Sequence, residues 1–275
     1  MFEGFMLNTW LAASIVAVVA GAVGFFTVLR GSAFAAHAIP QCGFAGAAAA
    51  SLVGLSTLVG LGAFAAGAAV GIAWMGRRGR HDVVVALALA LVLGCGALFL
   101  GFSVEYAPEI YSLLFGEVLG IASTELLPTA VLGILCLVAV VILYRPLMLS
   151  SVIKDAGEAR GVSGNRMEVA FLLVVALVTT MSVPVVGALL VFSVMIGAPG
   201  AARSFTSRPV VALVLSMGFA LVIVWIAIAM SYLTNWPVGF YVGGLGAVAY
   251  IVGRSWAAWV QTRTARPGQA AVAVG

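Results

Sequence analysis

Polar and charged residues occur in this chain as short clusters separated by long apolar runs. Uncharged apolar windows fall at 7–29, 34–54, 56–75, 83–102, 127–144, 169–184, 187–202, 209–231 and 238–253. The longer windows match the roughly 20 residues with which an α-helix crosses a hydrocarbon layer of about 30 Å. Ten-residue segments alternating apolar with polar, as in a membrane barrel, do not occur, so the spans are read as helices. Nine spans result. The windows between Met167 and Ala202 are short, at 16 residues each, and meet near Pro184, which leaves an eight-span count open.

Composition sharpens this reading. Of 275 residues 64% are hydrophobic and only 8% charged, with a mean hydropathy of +1.21, whereas soluble domains are about half apolar and about a quarter charged. The chain is therefore read as an all-α, multi-pass protein of the cell membrane, with one transmembrane domain over 1–255 and a short cytoplasmic tail over 256–275. The 33 glycines suit close helix contact in lipid. Cys42, Cys95 and Cys136 all lie in apolar stretches, without the paired spacing of a disulfide framework or a thiolate zinc site.

Charge gives sidedness, because basic residues collect in cytoplasmic loops. With the N-terminus outside and nine spans, all 13 lysines and arginines, from Arg30 through the Arg77–Arg80 turn to Arg266, fall on the cytoplasmic side. The outer side carries Glu3, Glu105, Glu109, Glu117 and Glu125, with Tyr106, Tyr111, Trp236 and Tyr241 as interfacial aromatics. The net charge of +4 is thus a topological signal, and no nucleic-acid partner follows from it. Glu3 and the lack of a basic leader favour a retained first helix over a cleaved signal peptide.

Two segments depart from short turns. The inner connection, 145–168, holds Lys154, Asp155, Glu158 and Arg160 with Gly161 and Gly164, a composition that suits a short helix and a turn. The outer segment, 103–126, contains YSLLFGEVLG, too short to span and too apolar for a free loop, and is read as re-entrant or interfacial.

Reactive groups are scarce. There is no Ser-His-Asp set, HExxH, glycine-rich phosphate loop or pair of intramembrane carboxylates on one helix, which argues against an enzyme. The ionisable group at depth is His37, with Gln41 one turn further on and Cys42 beside it. An imidazole and an amide carbonyl at i, i+4 can face a water-filled path and offer ligands to a divalent ion. The same residues would also serve as packing groups, with His37 bonded to a neighbouring helix and Pro40 kinking the span. Glu117 could add a carboxylate at the outer mouth or stand as a solvated loop acid.

Five stretches carry a resemblance. RGSAFAAHAIPQCGFAGAA (30–48) is similar to the second-span segment of the membrane permeases of zinc and manganese importing ABC transporters, approximately RxMALMGDAISHAxLPGVA. YSLLFGEVLG resembles that family's YLFGDLL turn, and DAGEARGV its DPExARALGV loop. VVGALLVFSVMIGAPGAAR (185–203) is close to VGALLVxALLIxPAATAR, and NWPVGF resembles a DxPxG turn. The five follow in register from residue 30 onward.

The resemblance implies that the family's metal-coordinating aspartate and histidine fall on His37 and Gln41, neither of which keeps the family residue, and that its FGD acid becomes Glu117. Pro199 and Arg203 stand as in the pattern, while Ala202 replaces the serine or threonine. It further implies that a coupling loop at about 148–167 docks on a separate ATPase, with Asp155, Glu158, Arg160, Gly161 and Arg203 as contacts. No Walker motif is present, so ATP acts through the partner and no cofactor is expected on this chain. The implied assembly is a permease homodimer in lipid with an ABC ATPase and an extracellular or periplasmic solute-binding protein, importing zinc or manganese by alternating access. Loss of the carboxylate keeps a metal chelate or small organic solute open as cargo, and a non-transporting structural role is the reading from another class.

Overall fold

The computed structural model describes residues 5–75, 81–102, 113, 121–152, 161 and 163–264. Nine long helices account for most of them, in the order α1 (Phe5–Arg30), α2 (Ala33–Leu52), α3 (Thr57–Met75), α4 (His81–Phe102), α5 (Ser123–Val152), α6 (Gly164–Val186), α7 (Ala188–Phe205), α8 (Pro209–Thr234) and α9 (Val238–Thr264). Each apolar window corresponds to one helix, and no strand occurs among the described residues. Seven helices are long and apolar enough to cross a membrane on those grounds alone. α4 contributes a shorter apolar core, Val85–Phe99. α2 falls outside the seven, its hydropathy lowered by His37, Pro40 and Gln41.

Two helices outrun their windows furthest. α5 passes through Pro128 and Pro146 and continues to Val152, because Leu147 and Ser150 beyond the second proline are still buried. Part of the connection expected at 145–168 is therefore helix. α9 continues to Thr264 rather than ending near 253.

Between α6 and α7 the windows are resolved into two helices, not one. Gly187 takes φ 81° and ψ 155°, an extended left-handed conformation essentially reserved for glycine. That single residue reverses the chain. The contacts on either side show the reversal: Arg30 binds Glu168 early in α6, while Val28 binds Arg203 late in α7, so the two helices have opposite ends beside the same part of α1.

α1 is the hub, packed on α5, α6, α7 and α8, while α2 packs on α3, α4, α6 and α7, and α7 lies along α9. Contact between apolar helices in lipid gains little from the hydrophobic effect and depends on close van der Waals approach. Small residues provide it: Ala12, Ala13, Ala17 and Ala20 of α1 are fully buried. Gly46 of α2 and Gly60 of α3 meet backbone to backbone, and a Cβ added at Gly46 would stand 2.7 Å from Phe64 Cγ.

The pairings also sort the ends of the bundle. Arg30, Ser150, Glu168, Arg203 and Arg254 belong to one end. At the other, Trp225 Nε1 donates to Ser14 Oγ at 2.9 Å, and its ring meets Trp10 edge to face at 6.0 Å. α8 closes there through Asn235, whose φ of 57° and N–H bond to the Ser231 carbonyl form a left-handed cap.

Candidate substrate path

α1 ends at Arg30, Gly31 turns the chain with φ 70°, and α2 carries His37 and Gln41 one helical turn apart. Although α2 carries a histidine, a proline and a glutamine in its middle, 14 of its 20 residues are buried. Polar side chains are costly in a bilayer and turn to the protein interior.

Gln41 is 6% exposed, and His37 is half-buried. The imidazole of His37 meets the ring of Phe192 on α7 at 4.6 Å between centroids, inclined by 62°. Its Nδ1 is buried and has no hydrogen-bond partner. An unmet polar atom in such surroundings costs about 1–3 kcal/mol, and a ligand could recover that cost. Pro40 lacks an N–H, so the Ala36 carbonyl loses its usual helical donor beside His37. An imidazole nitrogen, an amide and a freed carbonyl therefore lie within about one turn of α2.

Cys42 is buried, but five steps of 100° from His37 put it on another side of the helix. Among the described residues no group of three His, Cys, Asp or Glu is placed to hold a metal. The candidate ligands on α2 are thus a sparse set, fewer than a resident metal ion requires. Glu117, Asp155, Glu158 and Arg160 lie outside the described residues. Gly161 is exposed with φ 75°, and Arg203 Nη1 donates to the Val28 carbonyl at 3.2 Å.

Two features beside α2 carry no signal of their contacts in the sequence. Phe192, the aromatic that covers His37, was present only as a filler inside the 185–203 match. Arg30, in sequence a marker of sidedness and the first residue of the 30–48 match, forms a clamp: Nη2 bonds Glu168 Oε2 at 2.6 Å, and Nη1 reaches Ser150 Oγ at 3.0 Å and Ser151 Oγ at 3.2 Å. Its guanidinium also lies 5.4 Å from the Phe171 ring centroid. The Arg30 and Glu168 side chains are 9% and 25% exposed. The clamp joins the end of α5 and the start of α6 to the turn leading into α2, seven residues before His37. Its available signal was an arginine closing an otherwise uncharged span.

These features define a class: a polytopic helical membrane protein with a buried helix that carries a histidine and a glutamine between apolar spans, as a transport subunit requires. The model of the ABC 3 transport family matches residues 2–256, and the chain belongs to that family. It is similar to the manganese transport system membrane protein MntC of Listeria innocua, 26% identical over 237 residues that cover 86% of this chain and 84% of that protein. The manganese import system permease protein ScaB of Streptococcus parasanguinis is 22% identical over 250 residues, covering 90% and 89%. Among solved structures, PsaBC from Streptococcus pneumoniae in complex with Fab shares the fold with a TM-score of 0.82, at 23% identity and 91% coverage of both chains.

Proposed function

We propose that this chain is the permease subunit of an ABC importer for a divalent transition metal, manganese or zinc. Membership of the ABC 3 transport family and similarity to the manganese transport proteins MntC and ScaB support metal import. The observation that carries the reading is the buried, unpartnered Nδ1 of His37 one turn from Gln41 in a helix with 14 of its 20 residues enclosed. A cation leaving water needs replacement ligands, and these groups offer them without the charge that would trap it.

In this reading the end bearing Arg30, Arg203 and Arg254 is cytoplasmic and the N-terminus is outside. The segment between α5 and α6 docks on a separate ATPase through Asp155, Glu158, Arg160 and Gly161. Movement of that segment reaches α2 through the Arg30 clamp. A second copy of the permease faces the first across the path, Glu117 stands at its outer mouth, and a solute-binding protein delivers the ion.

The test exchanges the pair. His37→Asp with Gln41→His returns a carboxylate to α2 and is expected to strengthen or retune manganese and zinc uptake by the assembled transporter. Uptake by the unmodified protein is expected to fall as the medium is acidified, because a protonated imidazole cannot ligate. Transport of both ions that ignores pH and every substitution at 37 and 41, while a chelate or small organic solute is still carried, would transfer the function to the latter cargo.

A further inference from the structure

We propose that a cleft between the basic ends of α1, α7 and α9 binds an anionic phospholipid from the leaflet at that end, at a site separate from the substrate path. α7 and α9 run side by side, so close that a Cβ added to Gly197 would stand 2.9 Å from Gly246 Cα. They are still in contact two turns further on, where a Cβ added to Gly253 would stand 3.1 Å from Ser204 Cβ, and a cavity opens beside that contact. The opening is a cleft of about 700 Å³ whose walls include Val28, Arg203, Ser207, Tyr250, Arg254 and Trp256.

Its charge is one-sided. Arg30–Glu168 is the ion pair found among the described residues, and neither Arg203 nor Arg254 is paired with a described carboxylate. Arg203 uses Nη1 on the Val28 carbonyl, which fixes the side chain while leaving it further N–H donors. Thr206 Oγ1 accepts from the Arg208 backbone N–H, ordering the strip beside them. Two guanidinium groups facing one opening call for an anion, and their forked donors suit phosphate oxygens.

Depth and surroundings make that anion a lipid headgroup. Arg254 lies 16 residues along α9 from Val238 and Arg203 15 along α7 from Ala188. At 1.5 Å per residue each is about 22–24 Å from the far end of its helix, which places both near the edge of a hydrocarbon layer about 30 Å thick. Lipid phosphates lie at this level. The cleft also borders an apolar surface: Tyr250 and Trp256 are 46% and 51% exposed, and Val248 and Ile251, further along α9 from this end, are 57% and 61% exposed. An acyl chain can follow that surface while its phosphate sits between the arginines. A free phosphate would use the cations and leave the apolar wall uncovered.

The assembled transporter, permease with ATPase, is to be purified in detergent and offered phosphatidylglycerol or phosphatidylethanolamine with matched acyl chains, with retained lipid counted by native mass spectrometry. The expected result is preferential retention of phosphatidylglycerol, reduced roughly thirtyfold in affinity by Arg203→Gln with Arg254→Gln, the loss of two cation–headgroup contacts. Ala257→Trp, which fills the cleft and keeps both charges, should also displace the lipid. Equal retention of the two lipids by the unmodified transporter would overturn the proposal without any variant. So would phosphatidylglycerol binding unchanged in the arginine variant, or displacement of the lipid by millimolar inorganic phosphate, which would mark a free-anion site.

Discussion

α2 and α5 invert the rule of soluble proteins. α5 is the most apolar span, yet only 22% of its apolar stretch is buried, with Val131, Ile134, Val138 and Val141 on the surface. α2 contains a histidine, a glutamine and a proline, and 14 of its 20 residues are enclosed. In lipid, large aliphatic side chains lose nothing by facing outward, while α2 is held inside by small residues that pack closely and by polar ones that need shelter. The contrast shows where a path for a hydrophilic cargo can lie.

The contrast can be broken from the outside or the inside. The largest effect is expected from Val138→Arg near the middle of α5, costing about 3 kcal/mol of insertion on translocon scales. Membrane abundance should collapse, whereas Val138→Leu should be silent. Next is Gly46→Leu, which must force α2 from α3 against the Gly60 backbone. Overpacking of this kind costs about 1–3 kcal/mol, visible as a lowered midpoint of thermal unfolding in detergent.

Smaller again is Arg30→Met. It leaves Glu168 and two serine hydroxyls without their shared donor, at about 1–2 kcal/mol for partly buried groups. Its sharper readout is coupling: ATP hydrolysis by the assembled transporter should continue while substrate-dependent stimulation falls. Arg30→Lys should recover part of it, since an ammonium can meet Glu168 but cannot reproduce the planar fork that also reaches Ser150 and Ser151.

The helices were legible because hydropathy is a local property: nine windows became nine helices, and the polar pair in the second window lies on the enclosed helix. Helix ends were less so. Pro128 and Pro146 look like breakers in sequence, yet α5 continues through both, since packing at Leu147 and Ser150 offsets a lost backbone bond. His37 stood out as a lone ionisable group at depth. Phe192 and the Arg30 clamp did not, because they depend on contacts between residues more than 100 positions apart, for which spacing along one helix carries no signal. The cleft at Arg203 and Arg254 was hidden because it lies between helices, where spacing along one helix again carries no signal.

The central claim is that the free nitrogen of His37 meets the transported ion, and manganese uptake by cells expressing the whole transporter tests it most directly. His37→Ala removes the imidazole and leaves the α2 backbone intact, so membrane abundance should stay near that of the unmodified protein. Uptake per transporter should fall by about tenfold or more, as expected when a ligand worth about 1.4 kcal/mol or more is lost from the path. Undiminished uptake by His37→Ala at equal abundance would contradict the account and remove α2 from the path of the ion.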